Sequence, residues 1–196
     1  MSRGSGPYRV MSPRPLVEGE ITLRAVEPVD IESIRQWRNA QMDVLRQSDP
    51  ISAEDQVRYF DECVWPEKPK MQPGQILLAI EQGSTHIGYG GLVHISWPNL
   101  RAEVSFLLTP ELEQDTATRS GIFRTYLALI QELAFISLGL RRLFTETVAS
   151  RDKHIEVLEA AGFVEEGRLR GHMIVNQMPI DAVMHGCLEP DWGLAS

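Results

Sequence analysis

Residues 142–170, RLFTETVASRDKHIEVLEAAGFVEEGRLR, constrain the fold more than any other stretch of this chain. Leu143, Phe144, Thr145, Thr147 and Val148 are β-branched, aromatic or apolar residues suited to a strand. Ser150 is a favoured helix N-cap, and Asp152 falls in the first turn, where the helix dipole stabilises a carboxylate. Ile155, Leu158 and Ala161 share one helical face. Gly162 tolerates the left-handed conformation that closes a helix, and Phe163 returns the chain to a core. The stretch therefore predicts a strand, a tight turn, a short amphipathic helix and another strand.

The same signals extend in both directions. ITLRAV, from Ile21, alternates and reads as a strand. Residues 30–41, DIESIRQWRNAQ, read as a helix with Ile31, Ile34 and Trp37 or Arg38 on one face. Ser52 and Gln56 open a second helix, SAEDQVRYFDECV, with Val57, Phe60 and Val64 expected inward. WPEKPKMQPGQ is a Pro-rich loop. The strands ILLAIEQ, HIGYGGLVHIS and RAEVSFLLT follow, joined by turn residues at Gly83-Ser84 and Pro98-Asn99. A long helix is expected from Ser120 to Leu138, closed by Gly139, with Ile122, Tyr126, Leu129, Ile130 and Leu133 as its apolar stripe. IDAVMHGCL reads as the last strand. Residues 1–17 are rich in Gly, Ser, Pro and Arg and are expected to form a disordered tail. Residues 18–190 make one α/β domain, and residues 191–196 a C-terminal tail.

The resulting order is β-α-α-β-β-β-α-β-α-β-β. With LEAAGFVEEGRL at residues 158–169, which fits the pattern LE-x-x-GF-x-x-EG-x-L, it resembles the GNAT superfamily of N-acetyltransferases. The likeness spans about residues 20–188 and points to the RimL-like and nucleotide-amino-sugar branches. It implies a single α/β domain, with a mixed, twisted sheet whose central strands splay apart and are flanked by helices. It also implies transfer of acetyl from acetyl-CoA, as co-substrate, to a primary amine by direct attack.

The resemblance also assigns residues. RAEVSFLLTPE matches the strand that pairs with the pantetheine arm, which gives main-chain contacts to Phe106, Leu107 and Leu108. The pyrophosphate loop, usually Q/R-x-x-G-x-G/A, falls at the start of the long helix, where free N–H groups suit an anion. Gly121 takes the first Gly position, but Phe123 stands at the second and Thr118 at the Q/R position. Arg119, Ser120 and Gly121 either form a looser cradle or are an ordinary helix start capped by Ser120. Arg151 stands near the usual pantetheine-binding Asn and could meet a CoA phosphate. Leu158 occupies the place of the Tyr that protonates the leaving thiolate, and His154, one turn earlier, is the candidate acid. Glu103 and Glu146 are the candidate bases. Trp37, Arg38 and Asn39, in IRQWRN, resemble the element that lines the acceptor side in acetyltransferases of nucleotide-linked amino sugars. Other readings remain open: a RimL-like protein N-terminal acetyltransferase, or a degenerate GNAT that binds a ligand without catalysis.

Composition narrows the partners. The net charge of −8, with Lys and Arg scattered, argues against nucleic acid. No apolar run approaches a membrane span, and the N-terminus lacks the apolar centre of a signal peptide. Two cysteines, Cys63 and Cys187, make no disulfide framework, which suits the cytoplasm. His94, His172 and His185 lack ligand spacing, so no metal is expected. A small-molecule amine is the expected partner, and a homodimer is possible.

Overall fold

A computed structural model describes residues 4–45, 47–175 and 177–192. Eight strands form one sheet in the order β1-β2-β3-β4-β5-β6-β8-β7. They are β1 (Leu16–Glu18), β2 (Ile21–Ala25), β3 (Ile76–Gln82), β4 (Thr85–Ser96), β5 (Arg101–Leu108), β6 (Arg142–Val148), β7 (Val164–Val175) and β8 (Met178–Leu188). The helices are α1 (Ile31–Ala40), α2 (Ala53–Tyr59), α3 (Pro110–Gln114), α4 (Thr116–Gln131), α5 (Asp152–Ala160) and α6 (Glu189–Trp192). Wider π-type turns, Phe60–Val64 and Glu132–Ser137, continue α2 and α4.

All neighbouring strands run antiparallel except β5 and β6. A parallel pair needs a crossover, and α3 and α4 supply it. The β5–β6 ladder holds only at Arg101↔Arg142, Ala102↔Leu143 and Glu103↔Phe144. Beyond Glu103, β5 stays paired with β4 alone, and the two central strands diverge into a wedge. The expected fold of a mixed sheet with splayed central strands and flanking helices is the one observed.

Two apolar layers cover the sheet. Ile122, Phe123, Tyr126, Leu127 and Ile130 of α4 pack with Leu158 and Phe163 on one face. Val26, Ile34, Phe60, Val64 and Trp65 pack with Leu77, Tyr89 and Leu107 on the other. One backbone feature stiffens the middle of the sheet. Gly91, in β4, has φ +131°, and a Cβ there would lie 2.0 Å from the carbonyl oxygen of Ile76. Tyr126 reaches this point from α4: its hydroxyl accepts from the Gly91 N–H and donates to the Ser105 carbonyl.

Several expectations are corrected. The described part of the 1–17 tail is docked rather than disordered. Tyr8 is fully buried, and its hydroxyl accepts from the Leu77 N–H at 3.0 Å. The buried Lys68 ammonium donates to the carbonyls of Gly4, Gly6 and Val26 at 2.6, 2.7 and 2.6 Å. A composition argument counts apolar residues, but here one aromatic ring and two main-chain carbonyls do the anchoring. Residues 1–3 of that tail lie outside the described residues. So do residues 193–196 of the expected C-terminal tail, whose first two residues belong instead to α6.

Helix phases also shift. Val57 is 47 % exposed, and Gln56 faces inward with Phe60 and Val64, because those three follow an i, i+4 row. The long helix begins at Thr116, capped by Asp115, whose side chain accepts from the Thr118 N–H. Ser120 is therefore not the cap. Helix α5 has Arg151, not Ser150, at its N-cap position, and it buries His154, Val157 and Leu158.

Candidate active site

The divergence of β5 from β6 opens a cavity of about 130 Å³ between them. Glu103, Val104, Ser105 and Phe106 of β5 line one wall, and Thr145, Glu146, Thr147 and Val148 of β6 the other. Past Glu103 the β5 edge has no strand partner on this side. An extended ligand carrying amides could pair there as a strand would. Of the three β5 residues expected to touch pantetheine, only Phe106 lines the wedge. Leu107 and Leu108 do not line it, and the Leu108 carbonyl accepts from Gln41 Nε2 at 2.8 Å. Val104 and Ser105 stand where those two were expected.

A shallower cavity of about 280 Å³ lies outside the wedge, bordered by Glu113, Thr116, Arg119, Ser150, Arg151, Asp152, Lys153 and His154. It shares Arg151 and His154 with the wedge. The two helix starts meet here because α4 and α5 pack side by side. Glu113, in α3, binds both arginines: Arg119 Nε donates to its Oε1 at 2.7 Å, and Arg151 contacts the same oxygen. Arg119 also reaches His154 Nδ1 at 2.5 Å and lies over the Phe106 and Phe123 rings.

Arg119, expected to hold a CoA phosphate, borders the outer cavity but is already engaged by Glu113 and His154. Because α4 starts at Thr116, Arg119 sits a turn inside the helix and points inward, buried and engaged. Ser120 and Gly121 are likewise displaced from the helix start, although Gly121 keeps open space around it. Arg151 is more exposed and borders the outer cavity.

His154, the expected proton donor, lies where the wedge meets the outer cavity. Burial, reinforced by Arg151, Arg119 and His185, holds its pKa well below the ordinary histidine value. The ring stacks on Phe123 with centroids 4.1 Å apart. It is therefore neutral, with one N–H to donate. A guanidinium can only donate, so Nδ1 accepts from Arg119 and Nε2 carries the hydrogen. His154 is a hydrogen-bond donor at the junction of wedge and outer cavity. Leu158, at the family's Tyr position, is fully buried in the core.

On the opposite face, two cavities of about 390 and 690 Å³ lie beneath α1 and α2. Both include Arg38, Tyr59, Gln75, Val93 and Ser105. Val93 and Ser105 also line the wedge, which places them at the meeting point of donor and acceptor spaces. Of the three residues expected on the acceptor side, only Arg38 reaches these cavities. It donates to the Tyr89 hydroxyl at 2.7 Å and to Gln47 at 3.1 Å. Trp37 packs edge-on against His86. Asn39 binds both main-chain groups of Ile51, at 2.8 and 2.9 Å, and so fastens the α1–α2 connection.

Both expected bases line the wedge. Glu146 lies 3.6 Å from His172. Glu103 is buried, and its Oε2 lies 2.7 Å from Nδ1 of the exposed His94. Among the described residues, no group of three or more His, Cys, Asp or Glu side chains is placed to hold a metal ion. None of the described helices is long and apolar enough to cross a membrane. Sequence reasoning missed Ser105, Glu113 and Tyr126 as parts of the site. Glu113 alone left a trace, as an acidic residue just after the strand's TPE end.

The acetyltransferase (GNAT) domain family model matches residues 23–184. The chain belongs to the GNAT acetyltransferases. It is an acetyl-CoA-dependent N-acetyltransferase of that type. YdaF of Bacillus subtilis (strain 168), whose name provisionally assigns it to the ribosomal N-acetyltransferases, is 26 % identical over 185 residues, covering 90 % of this chain and 95 % of YdaF. Crystal structures of the Vibrio cholerae spermidine N-acetyltransferase SpeG share the fold. A mutant form of SpeG superposes with a TM-score of 0.77 at 20 % identity, covering 90 % of this chain and 98 % of SpeG. The complex of SpeG with CoA and spermine gives 0.76 at 20 % identity, covering 89 % and 99 %.

Proposed function

We propose that this acetyltransferase moves acetyl from acetyl-CoA to a primary amine on a cationic acceptor, the amino terminus of a basic protein being the class that fits best. One observation carries the reading: the character of the large acceptor-side cavity. Glu62 and Glu67 line it, His94 backed by Glu103 stands at its wall, and among the described residues Arg38 is its one guanidinium. Arg38 is held by Tyr89 and Gln47. Such a lining attracts a cation and disfavours a diphosphate. A nucleotide-linked amino sugar, which the sequence resemblance implies, draws support from Arg38 alone.

In this reading the pantetheine arm enters past Arg151 and His154 and runs along the free edge of β5 at Val104–Phe106. The thioester then lies near Ser105, where wedge and acceptor cavities meet. A main-chain N–H stabilises the tetrahedral oxyanion. A basic group at the acceptor wall takes one proton from the incoming ammonium. The Nε2–H of His154 donates a hydrogen bond to the sulfur, and the thiolate takes its proton from the nitrogen as the intermediate collapses.

The test is thiol release, with mass analysis of products, on a panel holding a Lys- and Arg-rich peptide with a free amino terminus, spermine and a UDP-linked amino sugar. The peptide should be acetylated at its terminus with a kcat/KM at least tenfold above that for the sugar nucleotide, about 1.4 kcal/mol of discrimination. A preference for the sugar nucleotide would reverse the assignment. Binding is checked separately. Acetyl-CoA at about a hundred times its Kd should stabilise the fold by roughly 2.7 kcal/mol.

A further inference from the structure

We infer that His94 is the base that takes the acceptor's ammonium proton, with Glu103 holding it in the productive tautomer. The inference rests on the proposed amine transfer and names the group that starts it. Three features converge on His94. Its ring is 67 % exposed and lines the acceptor cavity beside Ser105, while its Nδ1 lies 2.7 Å from the buried Glu103 carboxylate. Its backbone has φ +49°, a conformation uncommon for a residue other than glycine and found disproportionately at functional sites. The β4–β5 register also breaks between Val93 and Ser96.

The last two features explain the first. Val93 pairs with Glu103, so in a regular strand His94 would point to the opposite face, towards α4. The left-handed residue and the register break bring its ring round to the acceptor face, onto Glu103. A plain strand would serve stability better, so the deviation calls for a use.

The chemistry follows from the contact. An ionised carboxylate only accepts, so Nδ1 carries the hydrogen and Nε2 keeps its lone pair. The ring lines the cavity that receives the amine. His94 Nε2 removes one proton from R–NH3+. The free amine then attacks the thioester carbonyl, forming the C–N bond. The intermediate collapses with cleavage of C–S, and the second nitrogen proton passes to the thiolate, giving the amide and CoASH. The His94 imidazolium, stabilised by Glu103, releases its proton to solvent through its exposed ring. Among the described residues, the other ionisable groups that line this cavity are Arg38 of α1, Tyr59 and Glu62 along α2 and its π-type turn, Cys63, and Glu67.

The test compares wild type, His94→Ala and Glu103→Gln in the full chain, on whichever amine of the panel the wild type acetylates best. His94→Ala should lower kcat by about 10²–10⁴-fold and abolish the acidic limb of the pH–rate profile. Added imidazole should restore part of the rate, and the acetyl-CoA-induced melting shift should be unchanged. Glu103→Gln should also lower kcat, by less than His94→Ala does, with the acetyl-CoA-induced melting shift again unchanged. A His94→Ala enzyme within threefold of wild type, or one slowed with its acidic limb intact and no imidazole rescue, overturns the inference. Nitrogen-15 NMR of the wild-type ring decides the tautomer without any acceptor. Nδ1–H sustains the assignment, and Nε2–H refutes it even if the acceptor class proves different.

Discussion

Tyr126→Phe removes one oxygen atom and nothing else from the centre of this fold. The hydroxyl sits at the only point where a helix side chain bridges β4 and β5, accepting from Gly91 and donating to Ser105, among the described residues. Tyr126 is fully buried, and burial raises its pKa far above the working range, so it acts as a neutral bridge at every accessible pH. The Phe ring keeps the apolar packing against Phe106 and Phe123. What is lost is the pairing of one buried N–H and one buried C=O, each costing about 1–3 kcal/mol when left unmet. Partial re-pairing of Gly91 with Ser105 lowers the sum, so the expected loss is about 2–4 kcal/mol. At about 2–4 °C per kcal/mol for a chain of this size, the melting temperature should fall by roughly 4–16 °C. Urea titration supplies the free energy, with the m-value unchanged if only the native state has moved. Ser105 borders both donor and acceptor cavities, so acetyl transfer should slow as well. A loss under about 0.5 kcal/mol would mean that the strands close over the gap, and the bridge would then be incidental.

Gly91→Ala should be more damaging, because its methyl group would meet the Ile76 carbonyl within 2.0 Å at a φ that side chains rarely adopt; soluble yield and melting temperature check this. Lys68→Met should leave the sheet folded but free residues 4–10, seen as fast amide exchange and early proteolysis there, since three carbonyls lose their shared donor. His86, His154 and His185 all have pKa values lowered by burial, so below about pH 6.5 the unfolded chain binds protons that the folded one refuses. Stability should therefore fall as pH drops through that value, and His154→Gln should flatten the decline of the melting temperature between about pH 7 and 5.5. A wild-type curve flat over that range would contradict the burial of these rings.

Much of the architecture was legible without coordinates. ILLAIEQ coincides with β3, and the run from Arg142 folded as the strand, helix and strand that its residue types demand. Alternation, capping residues and Gly162 act over a few neighbours, and those neighbours are all the information such elements need. The family followed from the same local signals. Helix phase was less legible. Val57 and Gln56 exchanged places because a π-type turn and the cavity beside α2 decide which row faces inward. The tail was misread because Tyr8 and Lys68 are distant in sequence and meet only when folded.

The site shows the same division. The chain by itself determined that β5 would carry Glu103 and Phe106, that a helix start would place His154 near the wedge, and that the fold would be a GNAT domain. Only the tertiary structure decided what those residues do. Glu113 comes from α3 to hold Arg119, Arg119 fixes the neutral tautomer of His154, and the backbone at His94 turns its ring onto Glu103. Charge state and tautomer depend on burial and on partners brought together from separate elements. Neither quantity belongs to a residue or its neighbours in sequence, so neither can be read before the chain is folded.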